Sequence, residues 1–213
     1  KIEKLLAESV DAAYESLKER YRDGEAFYDE DNIRYYFYLE LNARKVSRHK
    51  VTLECPCLEG EPMRGVDTRI KFPEKTVWME FKFHRKSGKG VIAKTKKFGS
   101  ILADLLRLSS LPQKNRKYSC YTVDAIMFKY FYNAGYETLI SGKPFTIQRK
   151  KGEFYLGSIK LSPYTQKVIR DRTWKMPPNV KAVVRPIPLS AAKLSKKDKG
   201  FPYHVFFYRV GKK

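Results

Sequence analysis

Asp67, Glu80 and Lys82 are spaced so that two carboxylates and an ammonium can meet on one face of a hairpin. They lie in Gly65-Val66-Asp67-Thr68-Arg69 and in Trp78-Met79-Glu80-Phe81-Lys82. Side chains alternate along a strand, so Val77, Met79, Phe81 and Phe83 share one face while Trp78, Glu80, Lys82 and His84 share the other. The upstream run divides the same way, with Val66, Thr68, Ile70 and Phe72 opposed to Asp67, Arg69 and Lys71. Pro73-Glu74 supplies turn chemistry between them. A tip at Pro73-Glu74 pairs Ile70 with Val77 and Val66 with Phe81, a register that the apolar faces support by themselves. It also sets Asp67 directly opposite Glu80. Like charges in that position repel, and a divalent cation held by oxygen ligands is the simplest compensation. The alternative is a solvated acidic pair balanced by Arg69 and Lys82.

Several elements must position this hairpin. Ile2, Leu5, Leu6, Val10, Ala13 and Leu17 mark an amphipathic helix over residues 1–22, ending near Asp23-Gly24. A second helix starts after the capping run Asp29-Glu30-Asp31-Asn32 and carries Ile33, Tyr36, Phe37, Glu40, Leu41 and Arg44. Glu40 reads either as an i,i+4 partner of Arg44 or as an acid directed at the hairpin. A strand over 51–58 precedes the hairpin, and Gly88-Lys89-Gly90 forms a loop after it. Phe98, Ile101, Leu102, Leu105, Leu108 and Leu111 then predict a helix over 94–111 that stops at Pro112. Its first turn holds Lys94, Lys96 and Lys97, where the helix macrodipole disfavours cations, and phosphate contacts would explain them.

Residues 118–127 read as a further strand, so strand, helix and strand form a parallel crossover within a mixed sheet of about four core strands. Asp124, inside that apolar run, reads as a satisfied buried polar or edge residue. Later segments predict a hairpin over 145–161 around a Lys-Lys-Gly turn, a short helix opening at Ser162-Pro163, and strands over 180–187 and 203–210. The basic stretch between those last two strands reads as a loop.

Composition narrows the partners. The chain has 213 residues and a net charge of +21. Residues 1–40 hold 6 basic and 11 acidic side chains, residues 41–80 hold 8 and 6, and residues 81–213 hold 30 and 6. All the excess therefore follows Glu80, and a polyanion is the partner that would offset its self-repulsion. Neither a long apolar run nor a basic amphipathic helix points to a membrane. Cys55, Cys57 and Cys120 make neither an even disulfide framework nor a zinc spacing, which suits a reducing interior such as the cytoplasm, nucleoid or nucleus.

Taken in order, these segments over residues 30–128 resemble the PD-(D/E)XK, or restriction endonuclease-like, nuclease superfamily. The matching features are a helical acid at Glu40, a strand, Gly-Val-Asp67, Glu80-Phe81-Lys82, a helix and a further strand, with Val66 where the pattern has Pro. The resemblance implies an α/β fold: a restriction endonuclease-like core with a mixed central sheet flanked by helices, here 1–142, plus a basic β-rich extension, 143–213, packed on the same domain. It implies Mg²⁺, replaceable by Mn²⁺, held by Asp67, Glu80 and the Phe81 carbonyl, with Glu40 as an outer ligand. Lys82 would orient or help deprotonate the attacking water, and both roles stay open. The implied activity is phosphodiester hydrolysis by a DNA endonuclease of restriction, defence or repair type. A ribonuclease on the same fold, or a non-catalytic nucleic-acid-binding module, are the alternatives.

Nucleic-acid contacts are expected from Lys94, Lys96, Lys97, Lys167, Arg170, Arg172, Lys196 and Lys197, with Trp174 and Tyr164 as stacking candidates. His84 reads more simply as a rim histidine at a strand end than as a proton shuttle. A duplex-cutting enzyme would often be a homodimer, so that two sites meet two strands.

Overall fold

Leu6, Val10, Ala13, Tyr14 and Leu17 recur at helical spacing and are all buried in α1 (Ile2–Arg22). Ile33, Phe37 and Leu41 do the same in α2 (Glu30–Ala43). Both helices lie on one face of a sheet, against Ile70, Val77, Met79, Phe81, Tyr118 and Phe207. The structure, a computed structural model, describes residues 1–24, 30–47, 50–56, 65–84, 91–111, 114–174, 176, 179–190 and 203–211. Among the described residues no helix is long and apolar enough to cross a membrane.

The remaining elements are β1 (Val51–Pro56), β2 (Gly65–Lys71), β3 (Thr76–His84), α3 (Val91–Ser110), β4 (Arg116–Asp124), α4 (Ala125–Asn133), β5 (Phe145–Lys150), β6 (Glu153–Leu156), β7 (Ile159–Lys160), α5 (Pro163–Thr173), β8 (Lys181–Ile187) and β9 (Tyr203–Gly211). The nine described strands form one mixed, mostly antiparallel open sheet in the order β1-β2-β3-β4-β9-β8-β5-β6-β7. The β2–β3 hairpin pairs Thr68 with Met79 and Ile70 with Val77, the register expected from its apolar face. Phe72 N–H donates to the Lys75 carbonyl at 3.0 Å and closes the turn over Pro73-Glu74. β3 and β4 are parallel, joined through α3.

β4 is buried along nearly its whole length because both faces of the sheet are covered there. On the second face, α3 contributes Phe98, Leu102, Leu105 and Leu108, while Phe131 of α4 and Ile169 of α5 join the same core. Lys117, the second residue of β4, has a buried ammonium that donates to the Ser109 carbonyl at 3.2 Å and the Leu111 carbonyl at 2.6 Å. Those are carbonyls left over at the end of α3, where a cation also complements the helix dipole.

Two expectations change. The strand expected over 118–127 stops at Asp124, whose Oδ1 accepts the Met127 N–H at 2.7 Å and caps α4. Ala125, Ile126 and Met127 therefore belong to a helix; a short apolar run has no period long enough to distinguish the two. The C-terminal strands are also not an accessory layer beside a four-stranded core. β9 pairs with β4 from Lys117↔Val210 to Asp124↔Tyr203, and β8 pairs with β9, so they continue the same sheet. Such long-range pairing follows from burial of both partners rather than from any local signal.

Candidate active site

The β2–β3 pairing runs from Lys71↔Thr76 to Thr68↔Met79, and Asp67 and Glu80 follow on the two strands, near enough for the Asp67 charge to bear on Glu80. Phe81 anchors the arrangement: its ring packs on Phe37 of α2 with centroids 5.2 Å apart, and its main-chain N–H donates to Asp67 Oδ2 at 2.6 Å. Asp67 is thus held to the backbone beside Glu80 by a charge-assisted hydrogen bond. The Phe81 main chain, expected to offer its carbonyl to a metal, lies next to this carboxylate.

Glu80 points towards α3 and is only 2% exposed. Its Oε1 accepts from Arg107 Nη2, and Arg107 also approaches Asp104 Oδ1 at 3.5 Å. Asp104 and Arg107 are three residues apart on α3, which places them on one helix face. Burial pushes the Glu80 carboxyl well above the ordinary range; Arg107 pulls it down, and the charges of Asp67 and Asp104 push it up again. Asp104 Oδ2 is itself buried and has no hydrogen-bond partner.

Lys82 closes the cluster. Its ammonium donates to Glu30 Oε2 at 3.4 Å and lies 3.7 Å from Asp104 Oδ2. Burial would lower its pKa, yet the charges of Asp104, Glu30, Asp67 and Glu80 outweigh that and raise it. Lys82 is a cation in this arrangement. The Glu30 carboxyl is raised as well: burial, with the charge of Asp67, raises it more than Lys82 lowers it. Arg172, from α5, reaches Asp104 at 3.9 Å from the solvent side. Close by, Arg34 of α2 is ion-paired to Asp31 and to Glu54 of β1.

Glu40 is not brought to the cluster. It is ion-paired to Arg44 on its own helix, and ten residues at 1.5 Å rise place it about 15 Å along α2 from Glu30. The acid that α2 does supply is Glu30. Neither Asp104, Arg107 nor Glu30 was singled out from sequence. Glu30 was hidden in a capping run of similar residues. Asp104 and Arg107 had a usable signal: two charges at i,i+3 spacing inside the leucine-rich stretch of α3.

α3 begins at Val91, three residues before the expected start, so Lys94 ends the first turn and Lys96 and Lys97 fall in the second, beyond the reach of the helix dipole. Lys94 and Lys97 are half-buried and Lys96 is exposed. Lys167 is ion-paired with Asp171 at 3.8 Å on the exposed side of α5, and Arg170 is exposed on the same helix. Trp174, following α5, is 65% exposed, and Tyr164 is exposed as well. Lys196, Lys197, Cys57 and the Gly88-Lys89-Gly90 loop lie outside the described residues, as does the side chain of His84. Cys55 and Cys120 are buried, and burial pushes the Cys120 thiol up to about 12, so it stays protonated at neutral pH.

Among the described residues no group of three or more His, Cys, Asp or Glu side chains is arranged to hold a metal ion. The donor set nevertheless suits Mg²⁺, which keeps much of its water and is commonly held through one or two carboxylates together with substrate phosphates. Asp67, Glu80, Asp104 and Glu30 lie around Lys82 and Arg107, Arg172 reaches Asp104, Arg34 interacts with Asp67, and Asp104 Oδ2 lacks a hydrogen bond. A buried carboxylate oxygen without a hydrogen bond, beside further carboxylates, is a position that a divalent cation would satisfy. No family model, curated protein or solved structure matches the chain.

Proposed function

We propose that this chain is a Mg²⁺-dependent nuclease, a DNA endonuclease built on a restriction endonuclease-like core. The observation that carries this reading is the meeting of Glu80 and Lys82, from adjacent same-face positions of β3, with Asp67 of β2 and with acids from two helices, α2 and α3. Asp67 and Glu80 would hold Mg²⁺, with the Phe81 carbonyl as an additional ligand; the ion would supply a more acidic water and Lewis-acid stabilisation of the phosphate. In the hydrolysis, a water oxygen bonds to phosphorus and one phosphorus–oxygen ester bond breaks, the leaving alkoxide taking up a proton.

Lys82 serves in this reading as an electrostatic clamp. Held as an ammonium between Glu30 and Asp104, it is aimed by carboxylates from two helices and offers positive charge to the non-bridging phosphate oxygens. Lys94, Lys96 and Lys97 in the first two turns of α3, with Arg170 and Arg172 on α5, would receive the backbone of the polyanion.

Purified protein incubated with plasmid, linear duplex, single-stranded DNA and RNA, with Mg²⁺ or with chelator, tests the assignment. DNA cleavage should require the metal, and Asp67→Ala, Glu80→Ala and Lys82→Ala should each lower it by about 10³-fold or more. Cleavage that survives Glu80→Ala would remove this cluster from the chemistry. RNA as the preferred substrate would replace the DNA reading with a ribonuclease.

A further inference from the structure

Arg107 stands where two demands on Glu80 conflict. The carboxylate is buried, and its Oε1 already accepts from the guanidinium. A divalent cation bound through Glu80 must compete for that same carboxylate. Arg107 is not sealed in place, however: its side chain is 27% exposed and has a second carboxylate, Asp104 Oδ1, at 3.5 Å. Asp104 lies one helical turn earlier on α3, so it can retain the guanidinium near the site after Glu80 has released it.

We propose that Arg107 is a built-in stand-in for the metal at Glu80, and that metal binding hands its guanidinium over to the substrate phosphate. The inference rests on the nuclease reading above and adds a residue to it. The physical reasons are charge and shape. A cation beside Glu80 reduces the penalty of a buried carboxylate while no metal is bound, and a planar fork of donors suits phosphoryl oxygens as well as carboxylates. One side chain can therefore serve both states without leaving α3. The neighbouring clamp, Lys82, differs in this respect, because the carboxylates at ion-pair distance from it are Glu30 and Asp104.

Metal binding without nucleic acid separates this inference from the reading on which it rests. Terbium(III) luminescence and its displacement by Mg²⁺ report binding directly, and thermal unfolding verifies that each variant is folded. Arg107→Met should bind the ion at least about tenfold more tightly than the native chain, since no charge-assisted hydrogen bond has to be broken first. Arg107→Lys retains the charge but not the fork and should fall between the two. Arg172→Met removes a cation that touches Asp104 but not Glu80, and should change metal affinity by less than about threefold. With saturating Mg²⁺, Arg107→Met should cleave DNA at least about 100-fold more slowly despite its tighter metal binding.

An Arg107→Met variant that binds the ion no more tightly than the native chain overturns the stand-in role while leaving the metal site intact. Tightening equal to that of Arg172→Met also overturns it, because the effect would then be general charge removal. Tighter binding with undiminished cleavage overturns the hand-over to phosphate. If neither the native chain nor Arg107→Met binds the ion, the inference and the metal-dependent reading fail together.

Discussion

Glu30 and Glu40 belong to one helix but face different surroundings: Glu30 accepts from the Lys82 ammonium at 3.4 Å, whereas Glu40 is paired with Arg44. The difference makes a direct contrast between two chemically identical substitutions. Glu30→Gln removes a charge that orients Lys82, and metal-dependent cleavage should fall about 10- to 100-fold, as for other groups that position a catalytic side chain. Glu40→Gln loses only a partly exposed i,i+4 pair, worth about 0.5 kcal/mol, and should leave turnover within about twofold. Turnover measured on one DNA substrate for both variants decides the matter; equal losses would show that Glu30 is not the helix's contribution to the site. At this scale Asp67, Glu80 and Lys82 were legible in the sequence because strand alternation and a turn at Pro73-Glu74 suffice to align them. Asp104 and Arg107 were less so. Their meeting with Glu80 depends on how α3 is rotated about its axis over the sheet, and hydrophobic spacing specifies that only to within the width of an apolar stripe.

The docking of α5 on α3 is the element-scale counterpart, and a glycine permits it. A Cβ built on Gly99 would lie 2.9 Å from both Cβ and Cγ1 of Val168, and 3.3 Å from the Thr165 carbonyl oxygen. Helix 5 can approach because that Cβ is missing, and the same approach carries Arg172 towards Asp104. Gly99→Ala gains up to about 1 kcal/mol of helix propensity. The overlap forces α5 outward, and overpacking of this kind typically costs about 1–3 kcal/mol. A lower unfolding temperature is therefore expected despite the better helix former, with a raised temperature counting against the tight approach. The existence of α3, α5 and the hairpin followed from periodicity and from caps such as Ser162, which accepts the Thr165 N–H at 3.3 Å. Their contact did not. Gly99 sits in a helical pattern where a glycine looks merely unfavourable until the neighbour that needs the space is known.

For the whole molecule, the dominant quantity is a net charge of +21, carried by a chain whose first 40 residues are acidic in balance. If the basic part tracks a phosphate backbone, binding should release condensed counterions in proportion to the phosphates neutralised. Affinity for duplex DNA, measured by fluorescence anisotropy in chelator to prevent cleavage, should fall by about 10³-fold between about 50 and 200 mM salt. A nearly flat salt dependence would remove nucleic acid as the partner of that surface.

Length, charge asymmetry, strand alternation and helical spacing were enough, by themselves, to establish an α/β chain with an Asp67–Glu80 hairpin and a parallel crossover after it. These are properties of neighbouring residues, and local geometry transmits them. Tertiary structure decided that β8 and β9 extend the central sheet, that α2 supplies Glu30 rather than Glu40, and that Arg107 occupies Glu80. Each of those outcomes depends on packing between segments distant in sequence, where complementary burial and charge, rather than local periodicity, select the partner.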